Sequence, residues 1–350
     1  MKRNFNIGLY IGMIALSISI LISSCNKDVA NPVAIPGTTP IGGLSVGEFL
    51  TYDTTYSYLL AAITRAGYLD AIFNKSNLYT VFAPNNAAFR ASGIPSIAVI
   101  NALPLSSIVP IAQYHVIPGV SMPLASIPDA FPNYQAPTLF IPPGAPSPIV
   151  RISIFPSRRG TSAWVNNIPF TRSDIYVYNG IVHSVARIIA PPSLTLLNII
   201  DNDANFSFLR AAINRADSGA VGMNKLAEVL NLAVGPNLTV FAPDSNAFKA
   251  LYSAFGLPPV AAAANFLPVS TVKAIVSYHV LGVRAFAANL PATATPVATL
   301  LTSAIPGTTL SVNATTVKGL VNPTAANITS ADNHALNGVL HTVNQVLRFQ

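Results

Sequence analysis

Short apolar patterns of helical and of strand type alternate along this chain, and proline or glycine ends most of them. The apolar positions between Leu59 and Ile63 have the spacing of one helix face. The run Thr80-Val81-Phe82 is typical of a strand, which Pro84 should end because proline cannot donate to a sheet ladder. Asn179-Gly180, between two apolar runs, predicts a β-hairpin and a last strand. The pattern therefore predicts small helices and strands mixed within one domain.

Four polar residues stand where helix N-caps are expected. Ser57 and Ser207 precede helical patterns, so we expect their hydroxyls to accept free first-turn N–H groups. Asn85 and Asp244 follow the two Ala-Pro strand ends and are expected to cap the next helices. These caps predict where four helices begin.

The chain contains two copies of one set of sequence blocks. Tyr79–Phe89 recurs as Leu238–Phe248, with seven of eleven positions identical. The other recurring blocks are Tyr56–Ala66 with Phe206–Ala216, Tyr114–Val116 with Tyr278–Val280, and Asn179–His183 with Asn337–His341. Because the four blocks keep their order, we infer an internal duplication. It predicts one domain at residues 44–192 and a second at residues 193–350.

The repeated blocks resemble the fasciclin domain. The Thr-Val-Phe-Ala-Pro block, the Tyr-His pair and the Asn-Gly-x-x-His block occur in the family's order, twice. The resemblance implies an α+β fold of two tandem fasciclin-like domains, each a β-sandwich-like wedge with small flanking helices. The chain departs from the family at Val185-Ala186 and Val343-Asn344, where the family commonly carries an Ile-Asp pair.

The resemblance also implies a role in adhesion. In the family, residues around the Tyr-His pair are linked to receptor adhesion, which here concerns Tyr114, His115, Tyr278 and His279 if their side chains are exposed. The residues themselves favour a different role. Each repeated histidine lies among apolar strand formers, where an imidazole can join a backbone carbonyl to a neighbouring N–H. Recognition and metal binding remain alternatives at these histidines.

The N-terminus has the order of a secretory signal. Lys2 and Arg3 precede an apolar stretch at residues 7–22, and Ser23-Ser24-Cys25 follows. The segment resembles a bacterial lipobox, so residues 1–24 are expected to be a signal peptide and Cys25, the only cysteine, the lipidation site. Residues 25–43 would form the lipidated cysteine and a Pro/Gly-rich linker. A signal anchor with an incidental cysteine is the alternative.

The lipid on Cys25 would place the protein on a membrane of the bacterial cell envelope. Asn26-Lys27-Asp28 is similar to short signals that send some outer-membrane lipoproteins to the cell surface. Surface display is therefore expected, with the periplasmic face as the alternative.

The composition and the distribution of charge limit the classes of partner that are expected. The 350 residues are 51% hydrophobic and 9% charged, with a formal net charge of +7. The cations are spread out, and no run of Lys or Arg is longer than the pair Arg158-Arg159. Nucleic acid is not expected as a partner, because binding to phosphate backbones needs clustered cations.

The sequence lacks the common motifs of catalytic and phosphate-binding sites. It contains no His-Glu-x-x-His, no Gly-x-Ser-x-Gly and no phosphate-binding Gly-x-x-x-x-Gly-Lys motif. The only glutamates, Glu48 and Glu228, have no equivalent in the other copy. We therefore expect no enzyme activity, no cofactor and no metal.

One segment distinguishes the first copy. Residues 121–148 hold eight prolines and the aromatic residues Phe131, Tyr134 and Phe140. Prolines lower the entropy lost on binding and aromatic rings supply contact area, so this loop is a candidate recognition site. The alternative is a family-typical connection that has lengthened. The turn at Arg158-Arg159-Gly160, near Trp164, could attract acidic groups or be a solvated hairpin end.

The sequence thus predicts a lipid-anchored, non-enzymatic envelope protein that binds a surface or matrix protein or a glycan. A structural or accessory lipoprotein with a partner in its own membrane is the main alternative, and an envelope hydrolase is disfavoured.

Overall fold

The computed structural model describes residues 43–350 except 130, 143, 144, 146, 303, 304 and 306. The predicted signal peptide, Cys25 and the linker up to residue 42 lie outside the described residues. The described residues from 43 to 350 belong to one compact unit. Within the described residues, the duplicated blocks form two repeats of the same design.

In the first repeat, small helices precede and follow a central strand, and a hairpin of two strands ends the repeat. The helices are α1 (Val46–Tyr52), α2 (Ser57–Arg65), α3 (Leu69–Phe73), α4 (Asn86–Ala91), α5 (Ile97–Ala102) and α6 (Leu105–Tyr114). The strands are β1 (Tyr79–Pro84), β2 (Val116–Pro118), β3 (Ala136–Pro137), β4 (Ser153–Ile154), β5 (Pro156–Arg159), β6 (Ser162–Val165), β7 (Ile168–Val177) and β8 (Gly180–Val185).

The second repeat follows the same order. Its helices are α7 (Leu196–Asn202), α8 (Ser207–Ala216), α9 (Leu226–Asn231), α10 (Ser245–Ala254) and α11 (Val269–Tyr278). Its strands are β9 (Leu238–Pro243), β10 (Val280–Leu281), β11 (Thr295–Ala298), β12 (Thr309–Val312), β13 (Thr316–Lys318), β14 (Ala326–Ala335) and β15 (Gly338–Val343). The prediction of an α+β fold with two tandem domains is confirmed.

The sheets share one topology. The first repeat orders its strands β2-β1-β8-β7-β6-β5, and the second orders them β10-β9-β15-β14-β13-β12-β11. In each, the first and last long strands lie side by side and pair in parallel, β1 with β8 and β9 with β15. These strands are buried along nearly their whole length, which explains why they have continuous apolar sequences instead of alternating ones.

Two helix caps lie where the sequence predicts them, and two do not. Asn85 and Asp244 accept hydrogen bonds from the backbone N–H groups of Ala88 and Ala247. Ser57 and Ser207 are already the first residues of their helices and cap nothing, so these two predictions are wrong. A short 3-10 turn precedes each helix, and an aspartate (Asp53 or Asp203) caps that turn instead. A serine ahead of an apolar pattern does not reveal such an intervening turn.

The Asn-Gly pairs lie in the predicted hairpins, and their asparagines also make contacts far along the chain. Asn179 is not in the left-handed conformation; its buried amide accepts from Val46 N–H at 2.7 Å and donates to the carbonyls of Ile72 and Asn74. Asn337 joins Leu196 N–H to the Leu230 carbonyl in the same way. Each asparagine therefore ties two helices of its repeat to the final hairpin.

Candidate recognition sites

The two Tyr-His pairs lie at helix ends inside the protein. Tyr114 and Tyr278 are the last residues of α6 and α11, and His115 and His279 follow directly. All four side chains are buried. The pairs precede strands and do not lie within them, and their burial excludes them from direct contact with a partner in this fold. The expectation of a recognition role there is therefore corrected.

Both histidines join a helix to the last segment of their repeat. His115 Nδ1–H donates to the Ile111 carbonyl at 2.7 Å, and Nε2 accepts from Ile189 N–H at 2.9 Å. His279 makes the equivalent bonds to Ile275 and Leu347, at 2.7 and 2.8 Å. An imidazole that donates through one nitrogen and accepts through the other must be neutral. The predicted carbonyl-to-amide bridge is confirmed.

Burial keeps these rings neutral. Desolvation lowers the pKa of His115 and of His279 to about 4, and the hydrogen bond to the helix carbonyl offsets this only in part. Desolvation lowers the pKa of His183 and His341 as well. Burial thus keeps four of the five histidines uncharged, namely His115 and His183 in the first repeat and His279 and His341 in the second.

His183 and His341 hold the segment that follows each Tyr-His pair. His183 Nε2 lies 2.8 Å from the Met122 carbonyl, and His341 Nε2 lies 2.9 Å from that of Ala285. The hydroxyls of Thr80 and Thr239 bond the same two segments, donating to Val120 and Val283. These bonds explain the polar residues inside the repeated strand blocks.

A left-handed aspartate completes each network. Asp174 has a φ of 57° and Asp332 a φ of 64°, at bulges of β7 and β14. Their carboxylates accept from Leu124 N–H and Ala287 N–H, each at 2.7 Å. No sequence motif pointed to these aspartates, although their constant distance from the Asn-Gly pairs was visible.

The described residues offer no metal centre. Among them, no three histidine, cysteine, aspartate or glutamate side chains form a group that could hold a metal ion. Within that same part of the chain, no helix is long and apolar enough to cross a membrane.

The loop aromatics of the first repeat have three different environments. Phe140 is 8% exposed and belongs to the core beside Phe82 and Tyr114. Phe131 is half-buried and packs against a core cluster of the second repeat. Tyr134 is 44% exposed. The prediction that all three form one contact surface is therefore wrong for Phe140 and Phe131, because the loop also fills space within and between the repeats.

The arginines of the turn Arg158-Arg159-Gly160 form hydrogen bonds within the protein. Arg158 donates to the Ile127 carbonyl and lies 3.7 Å from Asp129, and Arg159 donates to the Leu290 carbonyl of the second repeat. Trp164 is half-buried. This turn is thus not a free cationic site.

The two repeats meet at a buried arginine that sequence reasoning missed. Arg284 donates to the Ala335 and Leu336 carbonyls at 3.0 and 2.9 Å and to His334 Nε2 at 2.9 Å. Its guanidinium carbon lies 4.4 Å from the ring centroid of Phe155, in the first repeat. Desolvation lowers the pKa of Arg284 to about 10.

Backbone and amide bonds reinforce this junction. Asn133 N–H donates to the Arg284 carbonyl at 3.3 Å, and the Asn133 side chain accepts from Phe286 N–H at 3.0 Å. Phe155 and Phe286 form a tilted pair 6.0 Å apart. One sequence feature could have revealed this junction: Arg284 occurs in the second copy only, and Ser121 stands at the equivalent place in the first repeat.

Comparison with known proteins identifies the repeats. The model of the fasciclin domain family matches residues 54–191 and 206–349, so each match lies within one predicted domain. Transforming growth factor-beta-induced protein ig-h3 from Sus scrofa is 28% identical over 162 residues, and that from Oryctolagus cuniculus is 27% identical over 161 residues. The alignments cover 45% and 44% of this chain. The chain spans about a fifth of these relatives, 20% of each.

One solved structure that matches this chain is also a pair of domains. It is a FAS1 domain pair from the insect cell adhesion molecule fasciclin I, which is 16% identical. The match covers 85% of this chain and 98% of that one, with a TM-score of 0.37.

Proposed function

Because this chain belongs to the fasciclin domain family, we propose that it is a non-enzymatic, lipid-anchored protein of the bacterial cell envelope that binds a surface or matrix protein or a glycan. The observation that carries the binding role is the family match over both repeats, since fasciclin domains are associated with adhesion. Because the match spans nearly the whole of each repeat, the chain offers two folded domains for such contacts.

The duplicated polar residues support a binding function over a catalytic one. His115, His183, His279 and His341 all use ring nitrogens for hydrogen bonds to the backbone. Groups engaged in this way serve the fold, and their burial keeps them from an external substrate. Recognition then falls to surfaces that differ between the repeats.

The anchor rests on the sequence around Cys25. Acyl chains contribute about 0.8 kcal/mol per buried methylene, so several chains on one cysteine would hold the protein on a membrane. The linker between Cys25 and Leu44 would keep the two repeats at a distance from the lipid surface.

Two experiments test the proposal. Cells fed a clickable fatty acid should label the wild-type chain and not the Cys25→Ser variant, and equal labelling of both would contradict the anchor. For binding, a fragment from Asn31 to Gln350 is incubated with intact cells and with extracted matrix. Retention by cells or matrix supports the binding role, whereas recovery of all the fragment in the unbound fraction contradicts it.

A further inference from the structure

A polar cleft of about 600 Å3 opens on the second repeat. Its walls are the 3-10 turn Ala204–Phe206 and the start of α8, the first turn of α10, and the neighbouring strands β14 and β15. Its polar lining includes Asp203, Asp244, Asn246, Lys249, Ser330 and Asn333. All six lie outside the buried networks described above.

Several polar groups of this cleft have no partner within the protein. Asp203 and Asp244 each accept a backbone N–H through Oδ1, at 2.9 and 2.7 Å, and their Oδ2 atoms make no hydrogen bond among the described residues. Within the same part of the chain, the side chains of Asn246, Ser330 and Asn333 form no hydrogen bond either, and all three are exposed. The cleft therefore presents carboxylate, amide and hydroxyl groups together, so it offers both donors and acceptors.

The first repeat shows what the same place looks like when it is filled. There Tyr56 stands in place of Phe206, and its hydroxyl lies near the side chains of Ser184 and Arg172. In the second repeat Phe206 has no hydroxyl, and Ser330 replaces Arg172 at the equivalent register position. The shorter side chains leave the space open.

Two further exchanges make the second copy more polar. Asn333 takes the register position of Ile175, which is buried in the first repeat. Asn246 takes the place of Ala87. Neither amide is needed for the shared fold, because the first repeat folds the same elements without them. The exchanges therefore point to a ligand of the second repeat.

The charges indicate which ligand fits. Two carboxylates, from Asp203 and Asp244, face one cation, Lys249, whose ammonium lies 5.7 Å from the Phe208 ring centroid. The excess of negative charge disfavours sulfated or uronic acid sugars. A peptide partner would need exposed apolar anchors, yet Phe206 and Phe208 are buried.

We propose that this cleft binds a neutral saccharide, whose hydroxyl groups donate to the free carboxylate oxygens and exchange hydrogen bonds with the two amides. The proposal rests on the proposed binding function and names its ligand class. Since the aromatic residues that line the cleft, Phe206 and Phe208, are buried and offer no face for stacking on a sugar ring, a single disaccharide binds weakly, in about the millimolar range. A repeating surface glycan that engages many anchored copies would add avidity.

Saturation-transfer NMR on the full chain in a zwitterionic, sugar-free detergent tests this inference. The probes are maltose, cellobiose, lactose and N,N′-diacetylchitobiose, with digalacturonic acid as the acidic comparison and a Gly-Ser peptide as the non-sugar. The variant Ser330→Arg with Asn333→Ile restores the residues of the first repeat, so the fold should accept it. Arg172→Ser, the reverse exchange in the first repeat, is the matched control.

At least one neutral disaccharide should receive saturation, and the double variant should weaken its binding at least about tenfold. The control should bind as the wild type does, and the melting temperatures of both should stay close to that of the wild type. Absence of saturation for every neutral sugar, equal binding by the double variant, or transfer to the peptide alone overturns the proposal. If the fragment is still retained on cells in any of those cases, only the saccharide proposal fails and the general binding role stands. If sugar binding is preserved but the fragment is not retained on cells, the general binding role fails and the saccharide proposal stands.

Discussion

The guanidinium of Arg284 stacks on the ring of Phe155, 4.4 Å from its centroid, and this contact joins the second repeat to the first. Arg284 has no carboxylate within ion-pair distance among the described residues. Its donors go to two backbone carbonyls, to the amide oxygen of Asn237 and to a neutral histidine nitrogen. A buried cation with such partners is costly to desolvate, so its surroundings must be well ordered to hold it.

Replacing Arg284 by Met should uncouple the repeats. The change leaves the carbonyls of Ala335 and Leu336 without donors and is expected to destabilise the protein by about 2–4 kcal/mol. Trp164, the only tryptophan, reports on the first repeat, and circular dichroism reports on both. The two midpoints should coincide in the wild type and separate in the variant. Arg215→Met is the control, because Arg215 donates to Leu267 within the second repeat; separate midpoints in the wild type would contradict the prediction.

Removal of either helix-end histidine should weaken the fold. His115→Ala or His279→Ala leaves a carbonyl and an N–H unpaired in the core, at a cost of about 1–3 kcal/mol each. Urea denaturation of the full chain measures it. Tyr52→Ala, at an exposed aromatic in the first repeat, is the control and should change the stability little. An unchanged midpoint in both histidine variants would show that these bridges are dispensable.

The same histidines predict how stability depends on pH. Their pKa is about 4 in the folded protein and about 6.5 when unfolded, so the unfolded chain binds more protons between these values. Stability is therefore fully present above pH 6.5 and falls as the pH drops towards 4, by up to about 1.4 kcal/mol per pH unit for each histidine.

The free energy of unfolding, measured in urea at several pH values, checks this sign. The double variant His115→Gln with His279→Gln should show a shallower decline, while the remaining buried histidines keep some slope. A wild-type stability that rises as the pH falls through this window would refute the prediction.

Single substitutions of Phe131, Tyr134 and Phe140 should have different effects on stability. Phe140→Ser removes a core ring and should cost about 3–5 kcal/mol, whereas Tyr134→Ser should stay within about 0.5 kcal/mol. Phe131→Ser should fall between them, because Phe131 packs half-buried against the second repeat. Thermal melts rank the three variants. Equal effects would mean that the loop packs as one unit, and loss of cell capture in Tyr134→Ser alone would give that side chain a recognition role.

Sequence patterns predicted the elements and the duplication well, because both depend on local spacing. The strand ends at Pro84 and Pro243 and the caps at Asn85 and Asp244 each rest on the chemistry of one or two neighbouring residues. The role of the Asn-Gly asparagines was not predictable in this way. Asn179 bonds Val46 across a separation of 133 residues, which no local pattern encodes.

The repeat junction and the cleft were missed for the same reason, yet the duplication held a clue to both. A difference between copies at an otherwise equivalent position, such as Ser121 against Arg284, marks a residue that the shared fold does not require. Such differences say where to look, but only the folded chain shows that Arg284 meets Phe155.

The parallel pairing of the first and last long strands has a mechanical consequence. Leu44, near the start of the first repeat, bonds Tyr178 beside the start of β8, and the chain leaves that repeat beyond the far end of β8. Tension applied between Leu44 and the end of the first repeat therefore runs along the six paired residues from Tyr79 with Gly180 to Pro84 with Val185. Force in this direction loads all the ladder bonds together and does not peel them one by one, so the repeat is built to resist pulling. Single-molecule extension should show a high rupture force for each repeat, and a force no greater than that of peeling a hairpin would contradict this geometry.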